Sequence, residues 1–154
     1  MKILAILLLT AGFALPAGDP TGFYVWKSSD LKTMAARLAP KLSASGGASD
    51  SLAKMDNYSF SINLRRSSGG AEIHKTNTDV FVVESGEATL IVGGAIPDGK
   101  ESQPNEVRGT SITGGVEKKI AAGDVVTIAA GTPHQMKLDP GKEISYLSMK
   151  IAKP

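Results

Sequence analysis

Residues 71–94, AEIHKTNTDVFVVESGEATLIVGG, alternate apolar and polar side chains at the two-residue period of a β-strand. Val80, Val82 and Glu84 fall on one face and Phe81 and Val83 on the other. Ser85 and Gly86 mark a turn, after which Ala88, Leu90 and Val92 resume the alternation. Residues 123–138, GDVVTIAAGTPHQMKL, repeat the plan: residues 125–128 lead to a turn at residues 130–133, and His134 opens the returning strand. Each stretch carries one of the chain's two histidines, His74 and His134.

This pair of stretches resembles the two motifs of the cupin family, small β-barrels whose strands hold a metal in the barrel mouth. The family's first motif usually has two histidines one residue apart, a Glu four or five residues on, and a Gly after six more. Here Glu72 stands where the first histidine is usual, His74 matches the second, Asp79 replaces the Glu, and Gly86 closes the motif. The second motif, Gly-Asp followed by Pro-x-Gly-x-x-His, runs from Gly123 to His134 with Ala129 at the first Pro. The resemblance covers roughly residues 58 to 152. It implies an all-β fold, a cupin or jelly-roll-like β-barrel, and a homodimer, to which the residues ahead of it add an N-terminal helical extension. A shared fold does not by itself fix the chemistry.

The 154 residues fit one domain with an extension, and three segments are expected. Residues 1–17 read as a signal peptide: Lys2 is a short basic start, residues 3–9 an apolar run, and Ala14 or Ala17 a small residue at a cleavage point. Residues 18–57 form the extension with one amphipathic helix, and residues 58–154 the barrel. The expected location is periplasmic or secreted, with no membrane attachment after cleavage. The chain has no cysteine, so an exported form is held together by packing alone. Its 17 basic and 15 acidic residues are mixed along the chain and give a formal charge of +2. That is not the concentrated basic surface a nucleic-acid partner requires.

Leu31, Met34, Ala35, Leu38 and Leu42 recur at helical spacing, with Ser28 or Ser29 as cap and Pro40 as terminator. Their apolar face predicts packing against the barrel wall, with a lid over the mouth as the other reading. Residues 43–51, rich in Ser, Gly and Ala, read as a connector, and residues 58–66 as a half-buried strand. Residues 95–115 read as a polar loop at the rim. Gly94, Gly99 and Lys100 have phosphate-loop spacing, but Glu101 occupies the magnesium-binding Ser/Thr position and no helix start follows, which argues against nucleotide binding.

Residues two apart on a strand share a side, so Glu72 and His74 project together; the resemblance implies that they point inward. With Asp79 on the following strand and His134 from the second motif, the expected metal ligands are His74, His134, Glu72 and Asp79. An N/O set without thiolate suits a divalent ion: iron or manganese favoured, zinc or nickel possible. Glu72 serves either as ligand or as base, and Asp79 either completes the shell or moves protons. Gln135, beside the second histidine, and Arg65, which can reach a carboxylate, are the expected substrate contacts. No cysteine nucleophile, Gly-x-Ser-x-Gly elbow or His-Glu-x-x-His helix competes with this set. Two functions follow from the resemblance. One is an exported metal-dependent cupin acting on a small organic molecule as an oxygenase or isomerase; the other is a non-catalytic cupin module that binds a small molecule or metal.

Overall fold

A computed structural model describes residues 19–153; the segment read as a signal peptide lies outside them. Helix α1 (Ser28–Ala36) ends before Pro40, which instead opens a single 3-10 turn at Ala39–Lys41. Lys27, not a serine, occupies the cap position, without a side-chain bond, and Asp30 sits in the first turn. Ten strands follow: β1 (Gly47–Lys54), β2 (Tyr58–Arg65), β3 (Ala71–His74), β4 (Asn77–Val92) and β5 (Lys100–Gln103), then β6 (Glu106–Gly109), β7 (Val116–Ala121), β8 (Val125–Ile128), β9 (His134–Lys137) and β10 (Ile144–Ala152). All their pairings are antiparallel.

Strand β4 organises the sheet. Its first half pairs with β10 and β8, its second with β7 and β9, so one long strand serves both halves of a curled sheet. The change of partner falls where a turn was expected. Ser85 and Gly86 do not reverse the chain; they carry it through a bulge that leaves Glu84 without a partner between Ser145 and Tyr146 of β10. Gly86 has φ +76°, and a Cβ there would collide with the Glu143 carbonyl. The residue chemistry of a turn and of a bulge is the same here, since both need a left-handed φ. The second motif is not a hairpin either. Its strands β8 and β9 pair with opposite halves of β4.

The two halves close on a core of Phe81, Val83, Leu90, Ile128, Ile144 and Tyr146, among others. A second cluster lies outside the curl, where Leu31, Ala35 and Leu38 pack on Ile62 and Leu64 of β2. The helix is therefore a wall element and not a lid. Two expected loops contain strands. Residues 47–51, read as connector, belong to β1, whose small side chains are held by pairing with β2. The rim segment contains the β5–β6 hairpin, with Asn105 at φ 67° in its turn. Lys100 starts a strand and no helix follows it, so the phosphate-loop spacing has no structural counterpart.

Candidate metal centre

Strand β3 carries Glu72 and His74 on one face, and its short ladder to β9 sets Glu72 directly opposite His134. Asp79 reaches the same place by another route. It lies on β4, which does not pair with β3, and its side chain crosses the interior from the facing half of the sheet. The following strand does carry Asp79, as expected, but not as a ladder neighbour of β3: the ladder neighbours of Asp79 are Lys150 and Ile128.

The polar atoms converge. His134 Nε2 is 3.4 Å from Glu72 Oε1 and 3.7 Å from Asp79 Oδ2. His74 Nε2 is 3.8 Å from Glu72 Oε2 and 3.6 Å from the same Asp79 oxygen. The imidazole rings lie 5.3 Å apart, tilted by 53°. His74, His134 and Asp79 are 5%, 2% and 2% exposed, so none of these atoms is freely hydrated. His134 Nε2 and Asp79 Oδ2 are buried without any hydrogen-bond partner. Orphaned buried polar atoms are rare and costly, and two of them facing each other call for a third party.

The outer nitrogens of the same rings are engaged. His74 Nδ1 lies 2.6 Å from both carboxylate oxygens of Glu106, and His134 Nδ1 lies 3.0 Å from the Thr132 carbonyl. A carbonyl only accepts, so His134 carries its proton on Nδ1 and turns the bare lone pair of Nε2 inward. Burial holds both imidazoles below the usual histidine range, against the opposing pull of Asp79. They are therefore poised as neutral ligands. Around them Arg108 contacts Glu72 and lies 3.4 Å from Glu106, while Lys150 Nζ holds Asp79 Oδ1 at 3.0 Å. Carboxylates and ligand histidines oriented from outside in this way are a recurrent feature of metal sites.

The donor set fits a cation. One ligand atom each from Glu72, His74 and His134 lies within 4.8 Å of the others. Ligands about 2.1 Å from a shared ion stand about 3.0–3.4 Å apart at octahedral or tetrahedral angles, which small rotamer adjustments reach from the observed separations.

No protein-family model matches the chain, and no curated protein matches it in sequence. Solved structures do match its fold. A Klebsiella pneumoniae protein with a double-stranded β-helix domain superposes with a TM-score of 0.53 at 14% identity, over 71% of this chain and 80% of that one. The cupin domain of Schizosaccharomyces pombe Cnp3 superposes with a TM-score of 0.53 at 10% identity, over 70% and 65%. An oxalate oxidase superposes with a TM-score of 0.54 at 15% identity, over 89% of this chain and 62% of its own. The chain has the cupin fold. At these identities the likeness extends to the cupin architecture and not to an activity.

Within this cupin fold the remaining expected site residues separate. Arg65 lines the interior beside Glu72 and His134. Gln135 does not join them. It follows His134 on a strand, where successive side chains take opposite faces, and its Nε2 donates to the carbonyls of Gly69 at 2.8 Å and Thr110 at 3.0 Å. It ties two loops together instead of touching an interior ligand. Glu106, Arg108 and Lys150 surround the candidate cluster and were not anticipated. Glu106 and Arg108 repeat on β6 the two-residue spacing of Glu72 and His74, with which they pair rung by rung. That echo was the available signal.

Proposed function

We propose that this protein binds a divalent cation through His74, His134 and Glu72, with Asp79 alongside, and acts on a small organic molecule there. The observation that carries the reading is the pair of buried, unpartnered atoms, His134 Nε2 and Asp79 Oδ2, facing one another while both Nδ1 atoms are held from outside. Two imidazoles and carboxylates without thiolate favour iron(II) or manganese(II), with zinc or nickel next. Such an ion supplies Lewis-acid chemistry and, for iron or manganese, redox chemistry.

The chain's own residues divide the remaining work. Glu106 and the Thr132 carbonyl fix the imidazoles, Arg108 orients Glu72, and Lys150 neutralises one oxygen of Asp79. Asp79 Oδ2 is left as an oxygen able to complete the shell or accept a proton inside a buried site. An oxygenase or isomerase is the reaction class we infer. The second reading, a barrel that binds and does not catalyse, is favoured by the interior cavity, which is only about 20 Å³.

Screening small organic acids with the metal-loaded chain, by oxygen uptake and by product analysis, separates the two. Metal-dependent turnover lost in His134→Ala supports the enzyme; tight metal binding without turnover of any acid supports the module. We also propose export directed by residues 1–17. Fractionation with N-terminal sequencing tests it: a mature start after Ala14 or Ala17 supports export, and an intact Met1 in the cytoplasm contradicts it.

A further inference from the structure

Three carboxylates, Glu72, Asp79 and Glu106, gather with three cations, Arg65 and the partly exposed Arg108 and Lys150. Arg108 serves Glu72 and Glu106, and Lys150 serves Asp79. Arg65 is different. Its Nη1 is buried and has no partner, and among the described residues no carboxylate pairs with it. The buried Tyr146 hydroxyl stands beside the guanidinium, so it is the single orphaned nitrogen, Nη1, that matches the two orphaned atoms of the metal centre.

Its position is also built. Arg65 ends β2, and its guanidinium lies between the backbones of Gly47 and Gly69. A Cβ at Gly69 would stand 2.9 Å from Nη1, too close to keep, whereas one at Gly47 would make only ordinary contact at 3.6 Å, so it is the missing side chain of Gly69 that makes the slot. Gly69 is fixed by its own N–H, which donates to the Met136 carbonyl at 2.9 Å, and by the Gln135 amide on its carbonyl. Gln135 therefore acts on this slot through Gly69.

Arg65 and Tyr146 line two cavities at once. One is the interior cavity of about 20 Å³ shared with Glu72 and His134; the other is a more open cleft of about 220 Å³ that includes Ser45, Ser49 and Asn63. The inner space holds about one water-sized group, which accommodates a carboxylate oxygen and not a phosphate. The cleft has room for several further atoms.

We propose that Arg65 is the anion-recognition residue of this barrel, and that the molecule it takes is a small organic carboxylate seated where the cleft meets the metal centre. This deepens the proposed function and rests on it for the chemistry. The anion site itself stands on Arg65, its glycine slot and the two cavities. A planar guanidinium fork matches a carboxylate, and a single Arg held in register is a selective partner for one.

Calorimetric titration of the full chain with acetate, glycolate and uncharged acetamide tests this, with and without manganese(II). The expected result is binding of the acids at least about tenfold tighter than acetamide, as a lost charged hydrogen bond implies. Arg65→Gln should lose about tenfold or more, Arg65→Lys should recover part, and manganese affinity should be unchanged in both. Gly69→Ala, which pushes the guanidinium from its slot, should weaken acetate in the same way. Thermal unfolding of each variant checks that it is folded. Failure of the wild type to bind either acid, equal binding of acetamide, or acetate binding indifferent to Arg65→Gln overturns the proposal. If manganese does not bind while acetate still depends on Arg65, the metal reading falls and the anion site stands. If manganese binds and acetate is indifferent to Arg65, the anion site falls and the metal reading stands.

Discussion

Glu72 and His134 are ladder partners on β3 and β9, and their Oε1 and Nε2 atoms stand 3.4 Å apart. One ladder rung thus brings residues far apart in the chain into the spacing of two ligands on one ion. Glu72→Ala removes a carboxylate from that rung and leaves both histidines in place. Its manganese affinity should fall by more than the roughly 10–100-fold typical of losing an outer partner. Competition against a fluorescent chelator measures it. An unchanged affinity would place Glu72 outside the shell, as a base only.

Glu106 is the outer partner of His74, with both oxygens 2.6 Å from Nδ1. Glu106→Ala should weaken metal binding by about 10–100-fold while the fold is retained. Glu106→Gln keeps an acceptor for the ring proton and should retain most of the affinity. Equal losses in the two variants would show that charge, and not ring orientation, is what Glu106 supplies.

Much of this site was legible before the fold was known, and the limits have physical causes. With two histidines in the whole chain, each on a stretch of strand period, His74 and His134 stood out. Glu72 followed from its two-residue spacing. Glu106 and Arg108 did not, because their strand is four residues long and sits among Gly and Pro, where periodicity has no length in which to appear. Lys150 was hidden by the ordinary alternation of β10. Gln135 misled because adjacency in sequence on a strand means opposite faces in space. Ser85 and Gly86 misled because a bulge and a turn draw on the same residues. The helix, by contrast, declared its buried face through Leu31 and Ala35, continued by Leu38 in the turn after it, and that face is the one that packs.

Lys150 and Asp79 form an ion pair of unequal burial, 38% against 2% exposed by side chain. Lys150→Met strands a buried carboxylate and should destabilise the metal-free protein toward the lower end of about 3–5 kcal/mol, because the lysine is partly solvated. Adding Asp79→Asn to that variant should restore part of the loss. Urea unfolding of both single variants and the double variant gives the coupling between them; additive effects would contradict the pairing.

Leu38 is fully buried between helix and sheet. Leu38→Ala should cost about 2–5 kcal/mol of stability and leave metal affinity within about twofold, since the helix packs on the outer wall and distant sites couple weakly. Thermal or urea unfolding together with the chelator competition checks both halves. A large loss of metal affinity without loss of stability would restore the lid reading.

Everything proposed for the chemistry depends on His74 and His134, with Glu72, forming one metal site. Elemental analysis of the untagged protein, purified without chelators and compared with His74→Ala and His134→Ala, tests this most directly. The expected result is about one equivalent of a divalent metal, iron or manganese first, lost in each variant. A protein that carries no metal and takes none up on titration, or variants that retain the full equivalent, would contradict it.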